Sequence, residues 1–171
     1  MKNWMVILPM LLFAAACFTG CQTDSAAVRD KISEALVLDV SQGTELAVED
    51  THSGFHGDGI LVVSLRFPDD AVQDSIAANN AWNPLPLRDD LAALVYGITE
   101  ENSTTGPFLT DNSGEAILPE VESGYYYFLD RHAEAREDQT GEALLNRGSF
   151  NFTIALYDAE EDTLYYAEMD T

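Results

Sequence analysis

Hydrophobic and polar positions along this chain change their period several times, and each change marks an element. After an apolar opening run, Val28, Ile32 and Leu36 recur at intervals of four, which is one face of a helix, and Asp24 is placed to cap it. Residues 44–50, TELAVED, alternate weakly, and 60–67, ILVVSLRF, is a β-branched run of buried-strand type. Pro68-Asp69-Asp70 opens a short helix carrying Val72 and Ile76, which stops near Asn79-Asn80. In AWNPLPL (81–87) two prolines restrict themselves and their predecessors, so the segment is expected to be irregular. Asp89 or Asp90 then caps a further helix with Leu91, Leu94 and Val95 on one face and Gly97 just past its end. SGYYYFLD (123–130) reads as a strand.

The C-terminus gives the sharpest expectation. Phe150, Phe152, Ile154 and Leu156 alternate with more polar residues, and TLYYAEMD (163–170) follows after a four-residue turn. Pairing Asp158 with Thr163 sets Leu156 against Tyr165, Ile154 against Ala167 and Phe152 against Met169 on one face. Glu168 then falls opposite Thr153 on the other. A one-residue slip would put Glu168 on the apolar face, so side-chain parity selects the first register. Strands at both ends with helices between them predict the α+β class. The expected form is a single two-layer domain: a mainly antiparallel sheet, short helices on one face, and a C-terminal β-hairpin. No internal repeat, low-complexity tract or long linker divides the chain.

The N-terminus changes the picture. Lys2 is followed by the apolar run 4–16, WMVILPMLLFAAA, which has the length of a secretory hydrophobic region and is short for a membrane span. It ends in Phe18-Thr19-Gly20-Cys21, which resembles a bacterial lipobox, with Phe18 where that motif usually has Leu; Ala14-Ala15-Ala16-Cys17 is an overlapping alternative. The resemblance implies that residues 1–20 are a signal peptide, that Cys21 (alternatively Cys17) carries lipid such as palmitate, and that 21–171 form one extracytoplasmic domain anchored to the cell envelope. More widely, DTHSGFHGDG, WNPLPL, GYYYF and SFNFT are similar to runs in uncharacterised bacterial lipoproteins, a group that implies no activity. LTDNSGEAILPEVESGYYYF (109–128) resembles the Thr-Asp-x-x-Gly-x-Ala hairpin of small β-sandwich modules of bacterial surface proteins. It implies a hairpin there, while the helices at 70–96 are foreign to such a sandwich.

Cleavage before Cys21 leaves 151 residues with no cysteine free for a disulfide or a thiol nucleophile. It also leaves seven Lys and Arg against thirty Asp and Glu, a net charge of −23. Such a surface repels nucleic acid and anionic headgroups. The expected partners are the membrane, through the lipid, and an envelope protein or extracellular ligand.

Candidate chemistry collects in DTHSGFHGDGI (50–60). His52, His56 and Asp58 combine imidazole and carboxylate, which suits a divalent metal, and His132 at the end of the tyrosine strand is a further candidate ligand. The competing account is a glycine-rich bend tied by its own Asp and His side chains, with Phe55 against the core edge. No cofactor is expected on that account. P-loop, dinucleotide, Gly-x-Ser-x-Gly and His-Glu-x-x-His patterns are all missing from the sequence. Six of the seven tyrosines lie after residue 120. Adjacent strand residues face opposite ways, so Tyr125, Tyr126, Tyr127 and Tyr166 are candidates for an exposed recognition surface. The sequence therefore favours a non-catalytic binding domain over a metal-dependent enzyme built on His52, His56, Asp58 and His132.

Overall fold

The computed structural model describes residues 25–52, 57–134 and 144–171, with only the backbone of Ala133 and Glu134. The signal segment, Cys17, Cys21, Phe55 and His56 lie outside the described residues. Helix α1 spans Ser25–Leu36 and buries Val28, Ile32 and Leu36, the three positions its period marks. Strands β1 (Thr44–Asp50) and β2 (Gly59–Arg66) form a hairpin around the histidine loop. Then come α2 (Ala71–Ala77), β3 (Trp82–Pro84), α3 (Asp89–Tyr96), the small hairpin β4 (Ile98–Glu100) and β5 (Ser103–Thr105), β6 (Gly124–Asp130) and the single turn α4 (Arg131–Glu134). The chain closes with β7 (Asn151–Asp158) and β8 (Thr163–Asp170).

One six-stranded antiparallel sheet runs in the order β1-β2-β8-β7-β6-β3. The class is α+β, and the C-terminal hairpin has the register that parity selects, with Phe152 opposite Met169, Ile154 opposite Ala167 and Thr153 opposite Glu168. The covering of the sheet differs from the expectation of two layers with helices on one face. On one face α1 and α2 pack with Leu61, Val63, Leu65, Tyr127, Ala155, Tyr157, Leu164 and Tyr166. On the other, α3 and residues 108–121 pack with Tyr126, Phe152, Ile154, Leu156, Ala167 and Met169. Every residue of β7 from Phe152 to Tyr157 is buried. Thr153, Ala155 and Tyr157 read as the polar side of an alternation, but small and aromatic side chains tolerate a helix layer above them as well as water does. A strand in mid-sheet is then covered twice.

Two local departures have simple causes. Trp82–Pro84, expected to be irregular, pairs with Tyr125–Tyr127 at the sheet edge, where a proline lacking an amide is tolerated on the unpaired side. Helix α3 begins after Arg88 rather than after an aspartate cap. Asp89 and Asp90 sit in its first turn, where carboxylates complement the helix dipole. The expected hairpin at 109–128 is reduced to a tight turn closed by one bridge, Thr110 to Ala116, with Asp111 accepting from the Ser113 and Glu115 amides.

Candidate functional site

The β1–β2 connection is held at its base by Thr51. Its amide donates to the Ile60 carbonyl at 2.9 Å, and its hydroxyl oxygen accepts from the Ile60 amide at 2.8 Å. Gly59 is required beside it, because a side chain there would overlap the His52 backbone. This fixes His52 between two carboxylates: Nδ1 lies 2.7 Å from Asp50 Oδ1 and Nε2 lies 3.4 Å from Asp170 Oδ2. Burial works against ionisation of Asp50. The hydrogen bonds from His52 and the charges of His52 and Lys31 outweigh it, holding the carboxyl below its usual range.

Asp170 continues the chain of contacts. Its Oδ1 accepts from Arg131 Nη2 at 2.8 Å, and the same nitrogen donates to the Phe152 and Met169 carbonyls at 3.1 Å. Arg131 Nη1 lies 3.5 Å from Oε1 of Glu168, a carboxylate only 5% exposed. Glu168 is also paired with Lys31 of α1 and accepts from the Tyr166 hydroxyl at 2.5 Å. Burial first, then the bond to Glu168, pushes the Tyr166 phenol well above its ordinary value, so it stays a proton donor. Beside this cluster Arg147 grips Asp130 through two bonds of 2.7 and 2.5 Å.

Of the predicted metal set, the described members His52, Asp58 and His132 do not converge, and His56 lies outside the described residues. His132 stands at the start of α4, at the same end of the sheet as the histidine loop, but β7 and β8 lie between β6 and β2. Three strand spacings amount to ~14 Å, too far for ligands of one ion. Asp58 is exposed, and both ring nitrogens of His52 face aspartates. Among the described residues no group of three or more His, Cys, Asp or Glu is arranged to hold a metal ion. The tyrosines also end elsewhere than expected: Tyr126, Tyr127 and Tyr166 are buried and Tyr125 is half-buried. With both sheet faces covered, these rings build core rather than a recognition surface.

Sequence reasoning missed Lys31, Arg131 and Asp170 as members of the cluster. Glu168 carried a signal, because an acid paired across the sheet with Thr153 in an apolar strand needs a cation over it once that face is buried.

Open space lies elsewhere, on either side of α3. One cleft of about 340 Å³ has Ala93, Ile98 and Leu145 as its apolar wall and Asp89, Asp90 and Glu100 around it. A second, of about 500 Å³, is floored by Leu85, Leu87, Ala92, Tyr96 and Val121 and rimmed by Glu120 and Glu122. Tyr96 donates to the Pro119 carbonyl at 2.8 Å, and burial with the Glu120 charge pushes its phenol up to about 12. Apolar walls with carboxylate rims suit a partner that is apolar and cationic together. Compared with protein-family models, with curated proteins and with solved structures, the chain finds no match. Among the described residues no helix is long and apolar enough to cross a membrane.

Proposed function

We propose that this chain is a lipid-anchored cell-envelope domain, held through Cys21, that works by binding a partner on its extracytoplasmic side rather than by catalysis. The observation that carries this is the contrast between its polar cluster and its clefts. At the histidine end Asp50, His52, Asp170, Arg131, Glu168, Lys31 and Tyr166 are spent on one another. Apart from Arg131 Nε, which is buried without a hydrogen-bond partner, the network is closed on itself: it orients backbone and helix and presents no free acid, base or nucleophile to a reacting atom. The clefts beside α3 are open, apolar at the floor and acidic at the rim.

The carboxylate rims also fit the charge of the whole chain. Lys31, Arg66, Arg88, Arg131 and Arg147 each pair with a carboxylate, so the surface field is set by the remaining acids. A basic, partly apolar segment of another envelope protein is the partner class this favours. The test is a photo-crosslinking residue at Ala92 of the full chain in living cells, with Asn80 as a distant exposed control. A discrete adduct from Ala92 that disappears when Glu120 and Glu122 become Lys is expected. No adduct from Ala92, or equal adducts from both positions, would contradict a partner at this cleft.

A further inference from the structure

Strand β1 is the terminal strand of the sheet, and among the described residues nothing pairs with its outer edge. Its ladder with β2 reveals which groups turn outward. The Thr51 amide bonds the Ile60 carbonyl, so in an antiparallel pair Glu49, opposite Val62, also bonds inward. Val48 and Asp50 lie between these bonded positions, so their amides and carbonyls point away from β2. Four backbone groups are thus offered in strand geometry. Toward the N-terminus the ladder shifts between Glu45 and Ala47, leaving Leu46 half exposed. A shallow cleft of about 300 Å³ runs alongside, lined by Leu46, Arg66, Phe67 and Pro68.

We infer that β1 takes up an extended basic segment of a partner protein as a seventh strand, with its backbone on Val48 and Asp50 and an apolar side chain beside Leu46. This rests on the binding role proposed above and adds to the α3 clefts a second contact for the same class of partner, at the sheet edge opposite β3. Charge decides the occupant. Glu45 and Glu49 lie along seven residues that hold no cation, in a chain of net charge −22, while the third acid of the strand, Asp50, is already engaged by His52. A second copy of this chain would lay like charges against each other, the usual protection of an edge against itself. A strand alternating Lys with apolar residues meets the opposite condition. The shift at Glu45–Ala47 limits the pairing to the Val48–Asp50 end, so recognition is short and depends on both charge and backbone.

The test uses the full chain in detergent micelles and a synthetic peptide, Lys-Val-Lys-Leu-Lys-Val-Lys-Val, beside its fully N-methylated twin. The twin keeps every charge and side chain but has no amide to donate. Fluorescence anisotropy should show the parent peptide binding about tenfold tighter than the twin, with Glu49→Lys weakening the parent by about tenfold. Hydrogen exchange at the Val48 and Asp50 amides should slow by about tenfold when the parent is added. Equal binding of parent and twin would overturn the inference, since charge alone would then suffice. Protection along α3 instead of β1 would overturn it too while leaving a binding domain. Absence of binding by either peptide would overturn it as well, and an Ala92 adduct in cells would then show that the binding role survives without the edge.

Discussion

Val37 shows how closely single positions answer to backbone physics. It follows α1 with φ +49° and is 78% exposed. The Leu38 amide bonds the Ser33 carbonyl at 3.1 Å and the Val37 amide bonds the Glu34 carbonyl at 3.4 Å, the double closure of a helix C-terminus that normally ends in glycine. A β-branched residue in the left-handed region costs about 1–2 kcal/mol, partly offset by the entropy glycine loses on folding. Val37→Gly should therefore raise stability by about 0.5–1 kcal/mol, seen as a higher urea midpoint at unchanged slope; a lower midpoint would contradict the strain. Single positions were legible where a local period placed them, as for Val28, Ile32 and Leu36. They were illegible where partners are distant in sequence: Glu168 meets Lys31 and Arg131, and no local pattern announces either contact.

The β7–β8 hairpin was the most legible element, because turn length and parity together leave one register. Hairpin β4–β5 was invisible, since all six of its residues are exposed and no hydrophobic alternation exists to mark it. Strand β3 was hidden by its proline, tolerated only because it lies at an edge. The double burial of β7 is open to direct test. Phe152→Ala should cost about 3–5 kcal/mol in a denaturant series. Ala155→Asp, on the opposite face beneath α1, should cost at least about 3 kcal/mol, because it buries a charge without a partner. Half-buried Asn151→Ala should cost about 1 kcal/mol or less. An Ala155→Asp protein as stable as the parent would mean that only one face of the strand is covered.

The molecule as a whole carries its charge and its buried phenols as two opposing limits on stability. Burial raises the phenols of Tyr96, to about 12, and of Tyr157 and Tyr166 above the ordinary 10.0. Their contribution is complete below pH 10 and is lost as pH rises through the folded values, because the unfolded chain releases those protons first. Stability should fall steadily from about pH 10 upward, and Tyr96→Phe should flatten the fall between about 10 and 12; an unchanged slope would contradict its burial. At the acid end the signs reverse. Asp50 and Asp111 are held below 3.8 in the fold, so their contribution is present above that value and lost as pH falls through the folded ones. Self-repulsion acts between these limits, and raising salt from about 0.01 to 1 M should raise the melting temperature. A melting temperature indifferent to salt would mean that the acids are already compensated.

Everything proposed about partner and position depends on the domain being tethered where such partners are, and α1 begins at Ser25, four residues past Cys21. The most direct measurement is the mass of the N-terminal peptide released by protease from the membrane fraction of cells making the full chain. A diacylglyceryl peptide beginning at Cys21, replaced by uncleaved precursor or soluble protein in Cys21→Ala and unaffected by Cys17→Ala, is the predicted result. An unmodified N-terminus on membrane-bound protein, or a lipidated peptide beginning at Cys17, would contradict it.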